Sequence, residues 1–403
     1  MVLKGSRSAL NLRQVRRAAV SDRIRRPRHD KMSDASLNIA GVNDLRRHIA
    51  PLHDELTAAV ERVISSGRFV LGQEVESFEA QFAAYCNVAH CVGVGNGTEA
   101  IELALKALGI GTGARVATTA NAGMYSTTAI LALGATPVYV DIDPNTHLLC
   151  PEVLSDALTR HAVAALVVTH LYGAMANMPE ILKLTNAFTI PVIEDCAQAH
   201  GATLQGRKAG SFGTLGTFSF YPTKNLGALG DGGAVVTESD ELASRLRHLR
   251  QYGWTRRYHA LVTGGRNSRL DELQAALLKV MLPKLDRWNA RRREIARLYS
   301  TGLRTSRIIP PRPADAGDVV HLYVVRTKDR EGFRAFLGQS RIPSDVHFPI
   351  PDYRQPAVAP ALESMPHLGA TENACQEVVS LPCFPELTDP EVAFIVERIN
   401  AWS

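Results

Sequence analysis

Residues 219–225 read Ser219-Phe220-Tyr221-Pro222-Thr223-Lys224-Asn225, and Gly227, Gly230, Gly232 and Gly233 follow at once. The stretch sets one lysine among apolar and aromatic neighbours. Burial disfavours the charged form of an amine, so a lysine in this setting loses its proton at modest pH. A neutral lysine amine attacks aldehydes and forms imines with carbonyl compounds. Standing by itself, the segment reads as a surface lysine beside a Gly-rich turn. Two segments upstream change that reading.

Residues 191–201 read Pro191-Val192-Ile193-Glu194-Asp195-Cys196-Ala197-Gln198-Ala199-His200-Gly201. A short apolar run passing into acidic and polar residues is the pattern at the carboxyl end of a parallel strand. A carboxylate there can keep the pyridine nitrogen of pyridoxal phosphate protonated, which makes the ring an electron sink. Further upstream, Cys91-Val92-Gly93-Val94-Gly95-Asn96-Gly97-Thr98-Glu99-Ala100 is a strand, a Gly-rich turn and a helix start. Backbone amides at that helix N-terminus, with the Thr98 hydroxyl, suit a phosphate. Each segment taken singly is an ordinary strand-to-helix connection. Phosphate turn, strand-end aspartate and buried lysine, in that order, make a much stronger set.

The rest of the chain alternates strand and helix. Apolar patterning predicts helices over 52–66 and 74–85, then strands over 90–94, 115–119, 136–141, 163–169, 191–194, 214–219 and 234–237. Helical stretches at 99–108, 126–133, 151–159 and 179–186 fall between them. Such alternation specifies an α/β fold with a mostly parallel sheet covered on both faces, and ligands bind such sheets at the carboxyl ends of their strands. A helical pattern over 269–302, interrupted at Pro283, leads to a smaller unit. That unit is read as strands over 319–327 and 344–348 and helices over 330–337 and 389–402. The domain reading is therefore a basic extension over 1–36, a large cofactor-binding domain over 37–285 and a smaller α+β domain over 286–403.

The chain resembles the DegT/StrS family of sugar-nucleotide aminotransferases, which have the aspartate-aminotransferase type of pyridoxal-phosphate-dependent transferase fold. The resemblance covers roughly residues 52–402 and is carried by GNGTEAIELALKALG, GATPVYVDID, HLYG, IEDCAQAHGA, FSFYPTKNLGALGDGGAVVT, NSRLDELQAALL and LPCFPELT. It implies that Lys224 is the Schiff-base lysine and moves the proton in transamination. Asp195 pairs with the pyridinium nitrogen, and Gln198 meets the ring hydroxyl. Gly97, Thr98 and Ser219 take the phosphate, and Asn267 completes that site from the neighbouring subunit of a homodimer. His170, in HLYG, either borders the cofactor or is structural. Arg256, Arg257 and Tyr258 either meet a substrate diphosphate or form a solvated basic loop, and His347 is a further substrate candidate. Where the family has an aromatic residue stacked on the cofactor, in a segment like PxxTFxAT, residues 118–126 here read TTANAGMYS. A register without gaps puts Gly123 at that position, and Tyr125 takes the role after a local shift. The family's PLHLQPA run, near the sugar, is here Pro351-Asp352-Tyr353-Arg354-Gln355-Pro356-Ala357.

The implied reaction converts a keto-sugar, nucleotide-linked, into an amino-sugar with glutamate as donor. A pyridoxal-phosphate-dependent sugar dehydratase is the alternative, against which Lys224 argues. A regulatory or nucleic-acid-binding protein is the third reading, resting on the tail. Residues 1–31 carry ten Lys or Arg against Asp22 and Asp30, while the whole chain is +5. The basic balance therefore belongs to the tail, read as a disordered extension with Met32 as initiator; the two aspartates count against a transit peptide. The body holds no recognised DNA-reading motif. The six cysteines form no CxxC pair and no zinc spacing, so reduced thiols in a cytoplasmic protein and no metal are expected. No apolar run approaches a membrane span.

Overall fold

The computed structural model describes residues 39–362 and 364–402, so the expected basic extension lies outside the described residues. Seven strands form the main sheet: β1 (His90–Val94), β2 (Arg115–Thr118), β3 (Thr136–Tyr139), β4 (Ala165–Thr169), β5 (Val192–Asp195), β6 (Leu215–Ser219) and β7 (Gly233–Thr237). Their order is β1-β7-β6-β5-β4-β2-β3. Neighbours from β6 to β3 run parallel, while β7 is antiparallel to both β1 and β6.

Period-two alternation splits each central strand between two cores. In β4, Leu166 and Val168 belong to one apolar cluster, whereas Ala165 and Val167 belong to another on the opposite face. That is why the strands read as continuous apolar runs in the sequence. Helix α1 (Gly97–Ala107) supplies Ile101, Leu103 and Leu105 to the second cluster. The first is covered by helices Gln73–Cys86 and Glu272–Met281, where Phe82 stands edge-on to Phe218 and Phe220 at 4.9 and 5.3 Å. Truncating a ring buried in this way costs about 3–5 kcal/mol. The N-terminus of Gln73–Cys86 has no capping side chain of its own. The buried Glu272 carboxylate serves instead, accepting the N–H groups of Gly72, Glu74 and Val75 at 2.7, 3.0 and 2.9 Å.

The helical pattern over 269–302 divides as expected, into Glu272–Met281, a 3-10 turn at Leu282–Lys284 and Leu285–Gly302. Pro283 has no N–H to continue the ladder. Beyond it, β8 (Tyr323–Arg326) pairs antiparallel with β9 (Val378–Leu381). These strands share a core with Ile295, Tyr299, Phe333 and Ile395, and Ile39 from the start of the described chain joins it.

Two expectations need correction here. The strand expected over 319–327 contracts to Tyr323–Arg326, because the Val319 and His321 N–H groups donate to Gly173 and Tyr172 of the other half. Residues 344–348 form no strand beyond a single bridge from Asp345 to Ser380. Prolines at 343, 349 and 351 remove the donors a ladder needs. Helix Gly369–Glu377 and β9 were not foreseen. Among the described residues no helix is long and apolar enough to cross a membrane.

Candidate active site

The carboxyl ends of β1, β4, β5 and β6 converge on one edge of the sheet. At the first, Asn96 caps α1 by accepting the Glu99 N–H at 2.9 Å. The N–H groups of Gly97 and Thr98 have no acceptor among the described residues. A side chain at Gly97 would stand 2.5 Å from Cβ of Ser219, and one at Gly233 would stand 2.4 Å from the Asn96 carbonyl. Only glycines let the helix start sit this close to the end of β6. Free amide donors, the Thr98 hydroxyl and the Ser219 hydroxyl thus gather at a helix N-terminus, an arrangement that binds anions.

Asp195 closes β5 and is buried. Its carboxylate accepts the Ala197 N–H at 3.1 Å and the Thr169 hydroxyl at 3.3 Å. Burial pushes its carboxyl up, opposed by the Ala197 hydrogen bond and then by the Lys224 charge. Lys224 is half-buried, five residues beyond the end of β6. Burial holds its ammonium below the usual lysine range, and the Asp195 charge acts against that shift. Gln198 accepts the Tyr172 N–H at 2.7 Å through Oε1, and its Nε2 has no hydrogen-bond partner among the described residues.

His170 is tied up differently. Its Nε2 meets Glu194 at 2.9 Å and its Nδ1 accepts the Ala176 N–H at 3.1 Å, which assigns the proton to Nε2. Glu194 also accepts the N–H groups of Gly210, Phe212 and Gly213. Both ring nitrogens of His170 are therefore engaged, and only its ring face remains for a ligand. Cys196 lies within 4.8 Å of these ligand atoms, but burial pushes its thiol well up and the pair beside it is already satisfied.

Tyr125 begins helix α2 (Tyr125–Ala132), with its ring centroid 6.0 Å from Lys224 Nζ. Gly123 just before it has φ +76, and a Cβ there would strike the Phe348 ring at 2.7 Å. Phe348 and Tyr125 stand edge-to-face at 6.1 Å. His347 hydrogen-bonds Ser380 through Nδ1 at 2.8 Å, and its carbonyl accepts the Tyr172 hydroxyl. Burial lowers its imidazole, with Lys224 among the contributing charges. His321 donates from Nδ1 to Asn225 Oδ1 at 2.9 Å, and burial pushes it well below the usual histidine range, with Lys224 the next cause. Phe348 and His321 escaped the sequence reading because no local motif marks them, and Asp352 was read only as part of the Pro351–Ala357 run, without a role of its own.

A family model described as DegT/DnrJ/EryC1/StrS aminotransferase matches residues 51–400. The chain belongs to that family. It is an aminotransferase. It is similar to the dTDP-3-amino-3,4,6-trideoxy-alpha-D-glucose transaminase of Streptomyces venezuelae, 42% identical over 89% of this chain and 95% of the relative. It is also similar to a pleiotropic regulatory protein of Geobacillus stearothermophilus, 41% identical over 88% and 96%. Among solved structures, S. venezuelae DesV in complex with a ketimine intermediate superposes with a TM-score of 0.86 at 42% identity, over 89% of this chain and 97% of that one. Bacillus subtilis NtdA with bound cofactor PMP superposes at 0.83 with 28% identity, over 90% and 85%. The family match, the S. venezuelae transaminase and the DesV ketimine complex favour transamination over the dehydratase and regulatory alternatives.

In this aminotransferase the remaining sequence candidates sit apart. Arg256, Arg257 and Tyr258 lie on the hairpin of Trp254–Arg256 with His259–Ala260, Tyr258 being 74% exposed. They make no contact with Lys224, Asp195 or Gln198 among the described residues. Asn267 is exposed, between Arg266, which pairs with Glu99 and Glu102, and Ser268, whose hydroxyl accepts the Gly95 N–H at 3.0 Å. The following helix starts at Glu272 with Asp271 at its N-cap, so Asn267 does not cap it. Tyr353, the substitute for the family's histidine, is buried with its hydroxyl on Glu372 at 2.7 Å.

Proposed function

We propose that this aminotransferase uses pyridoxal 5'-phosphate to convert a keto-sugar, nucleotide-linked, into an amino-sugar, with glutamate as amino donor. One observation carries the reading: Lys224 and Asp195 offset each other's burial charge at the sheet edge that also holds the unpaired N–H groups of Gly97 and Thr98. These residues fit the cofactor. The α1 N-terminus with Thr98 and Ser219 would hold its phosphate, Asp195 its ring nitrogen, and Gln198 Nε2 its ring hydroxyl. Tyr125 and the ring face of His170 would border it. When bound, the group supplies an aldehyde that takes up the amino group and a ring that withdraws electrons. Lys224 Nζ, whose charged form burial disfavours, takes and returns the proton on the substrate carbon. Asp195, whose charged form is favoured by Ala197, Lys224 and Thr169 against its burial, would hold the proton on the ring nitrogen.

The sugar-nucleotide substrate is supported by the name of the S. venezuelae relative. His347, with Arg256, Arg257 and Tyr258, is the substrate-side candidate set. The chain is read as a cofactor domain over 37–285 and a small domain over 286–403, with Ile39 in the core of the second and Arg47 paired with Glu391. The enzyme is read as a cytoplasmic homodimer in which Asn267 of the partner subunit completes each phosphate site.

The test is spectroscopic. The purified protein should be yellow, and glutamate should bleach or shift its visible absorbance; a panel of nucleotide-linked keto-sugars should then restore it. Lys224→Ala should lose turnover by at least about 10²–10⁴-fold, the range of a lost acid–base group. A colourless protein that binds DNA tightly, or a Lys224→Ala variant near the wild-type rate, would sink the reading.

A further inference from the structure

The two segments that depart from the family's sequence pattern pack against each other. Asp352, buried in the 347–353 segment, reaches across to the 120–127 segment. One carboxylate oxygen accepts the Met124 N–H at 3.0 Å and the other accepts the Thr127 hydroxyl at 2.7 Å. The Asp352 N–H donates to the Ala120 carbonyl at 2.8 Å. The turn so held is unusual: Gly123 and Met124 are both left-handed, with φ +76 and +73. Glycine adopts that conformation freely, whereas methionine holds it only when its surroundings fix it. From the other side, Phe348 fills the space where a side chain on Gly123 would begin. The next residue is Tyr125, whose ring borders both Phe348 and Lys224.

We propose that Asp352 is a positioning residue for amino transfer: it clamps the left-handed 123–124 turn and thereby sets Tyr125 as the wall facing Lys224, with Phe348 seated on Gly123. The inference rests on the reading of Lys224 as the reactive amine. Asp352 touches no reacting atom; it acts through Tyr125. Without its carboxylate the Met124 N–H loses its acceptor, and the Thr127 hydroxyl keeps only Tyr139 as a partner.

A double-mutant cycle on the holoenzyme tests this. Asp352→Ala is expected to lower kcat/KM by about 10- to 100-fold, the penalty for a small misplacement near the chemistry. Asp352→Asn, which still offers an amide oxygen, should recover most of that loss. Tyr125→Ala lowers the rate by itself, and adding Asp352→Ala to it should cost less than about threefold more, because the two act as one unit. Cofactor retention after dialysis, read by absorbance, should follow the same pattern without turnover. If Asp352→Ala costs the same factor with and without Tyr125, the proposal is overturned. Should Asp352→Ala fail to fold, Thr127→Val removes one of the two donors and enters the same cycle with the same two outcomes. Lys224→Ala is run alongside. Its loss of turnover together with an additive Asp352–Tyr125 cycle overturns this proposal alone; turnover without Lys224 overturns the active-site reading as well.

Discussion

The charges of Asp195 and Lys224 each work against the other's burial. Desolvation drives the aspartate towards its neutral acid and the lysine towards its neutral amine, and each ion restrains the shift in its neighbour. The pair is also asymmetric. Asp195 has hydrogen bonds from Ala197 and Thr169 that favour its charged form, while no side-chain hydrogen bond holds the Lys224 ammonium among the described residues. Hydrogen bonding thus favours the charged form at Asp195 and offers no such support at Lys224.

Asp195→Asn should test that division of labour. The amide oxygen can still accept from Ala197 while its NH2 donates to the Thr169 hydroxyl, so the fold should persist with a circular dichroism spectrum like the wild type's. Turnover at saturating cofactor should fall by about 10²–10³-fold, the usual loss when a preset charge is removed from an active site. Equal rates in the two proteins would remove Asp195 from the mechanism.

Gly97→Ala should damage cofactor binding more than stability. Its new methyl would meet Cβ of Ser219 at 2.5 Å, and the residue opens α1 beside the two unpaired amides. Either the helix start or Ser219 must move, and both serve the anion cradle. We expect cofactor affinity to fall at least about tenfold, equivalent to 1.4 kcal/mol, measured by titrating the cofactor-free protein. Unchanged affinity would mean that the phosphate lies elsewhere.

Shared sites predict a particular result on mixing subunits. Lys224→Ala and Asn267→Asp chains are each expected to be nearly inactive, the second because its carboxylate repels phosphate. In a heterodimer one site would collect both defects and the other neither, so about one wild-type site should return. Purified heterodimers no more active than their parents would leave Asn267 acting within its own chain.

Asp352 predicts a stability signature. Burial raises its carboxyl from 3.8 to about 6, with Thr127 and Met124 acting the other way. The nearby ionisable groups are Tyr139 and Cys375, both pushed up by burial, and Tyr353 with the Glu372–Arg354 pair. A raised carboxyl pKa means that the folded state binds the proton more tightly than the unfolded state. This contribution therefore strengthens as pH falls through about 6 towards 3.8 and is lost as pH rises through that window. Two units correspond to about 3 kcal/mol. Relative to Asp352→Asn, which cannot titrate, the wild type should gain thermal stability between pH 7 and pH 4.5. Parallel Tm curves for the two proteins would contradict the assignment.

The sequence made much of this site legible, and for a physical reason. Lys224, Asp195 and Gly97 each follow a buried strand of the main sheet, and a buried parallel strand leaves a continuous apolar run that points at its own end. Even the unexpected β7 orientation left the predicted strand limits nearly intact. The C-terminal half was harder to read. Gly369–Glu377 carries few apolar residues in register, and the Val-His-Phe run at 346–348 mimics a strand that its flanking prolines forbid. Asp352 and Phe348 were illegible as site residues because their roles depend on a turn more than two hundred positions earlier. Both departures from the family pattern were visible in the sequence; that they touch was not.

The antiparallel strand β7 has a kinetic consequence. It lies between β1 and β6, and it pairs His90 with Thr237 at one end and Val94 with Gly233 at the other. β1 is made first yet has no neighbour until β7, the last of the seven, has been synthesised. Non-local pairings of this kind must meet their loop-closure entropy before they stabilise anything, which places them late in folding. Gly97 and Ser219 are brought together by that same closure. A chain released before residue 237, or stalled with β7 undocked, would carry five paired strands, β2 to β6, but no anion cradle. Cofactor uptake during refolding should therefore lag behind the appearance of secondary structure and report the docking of β7.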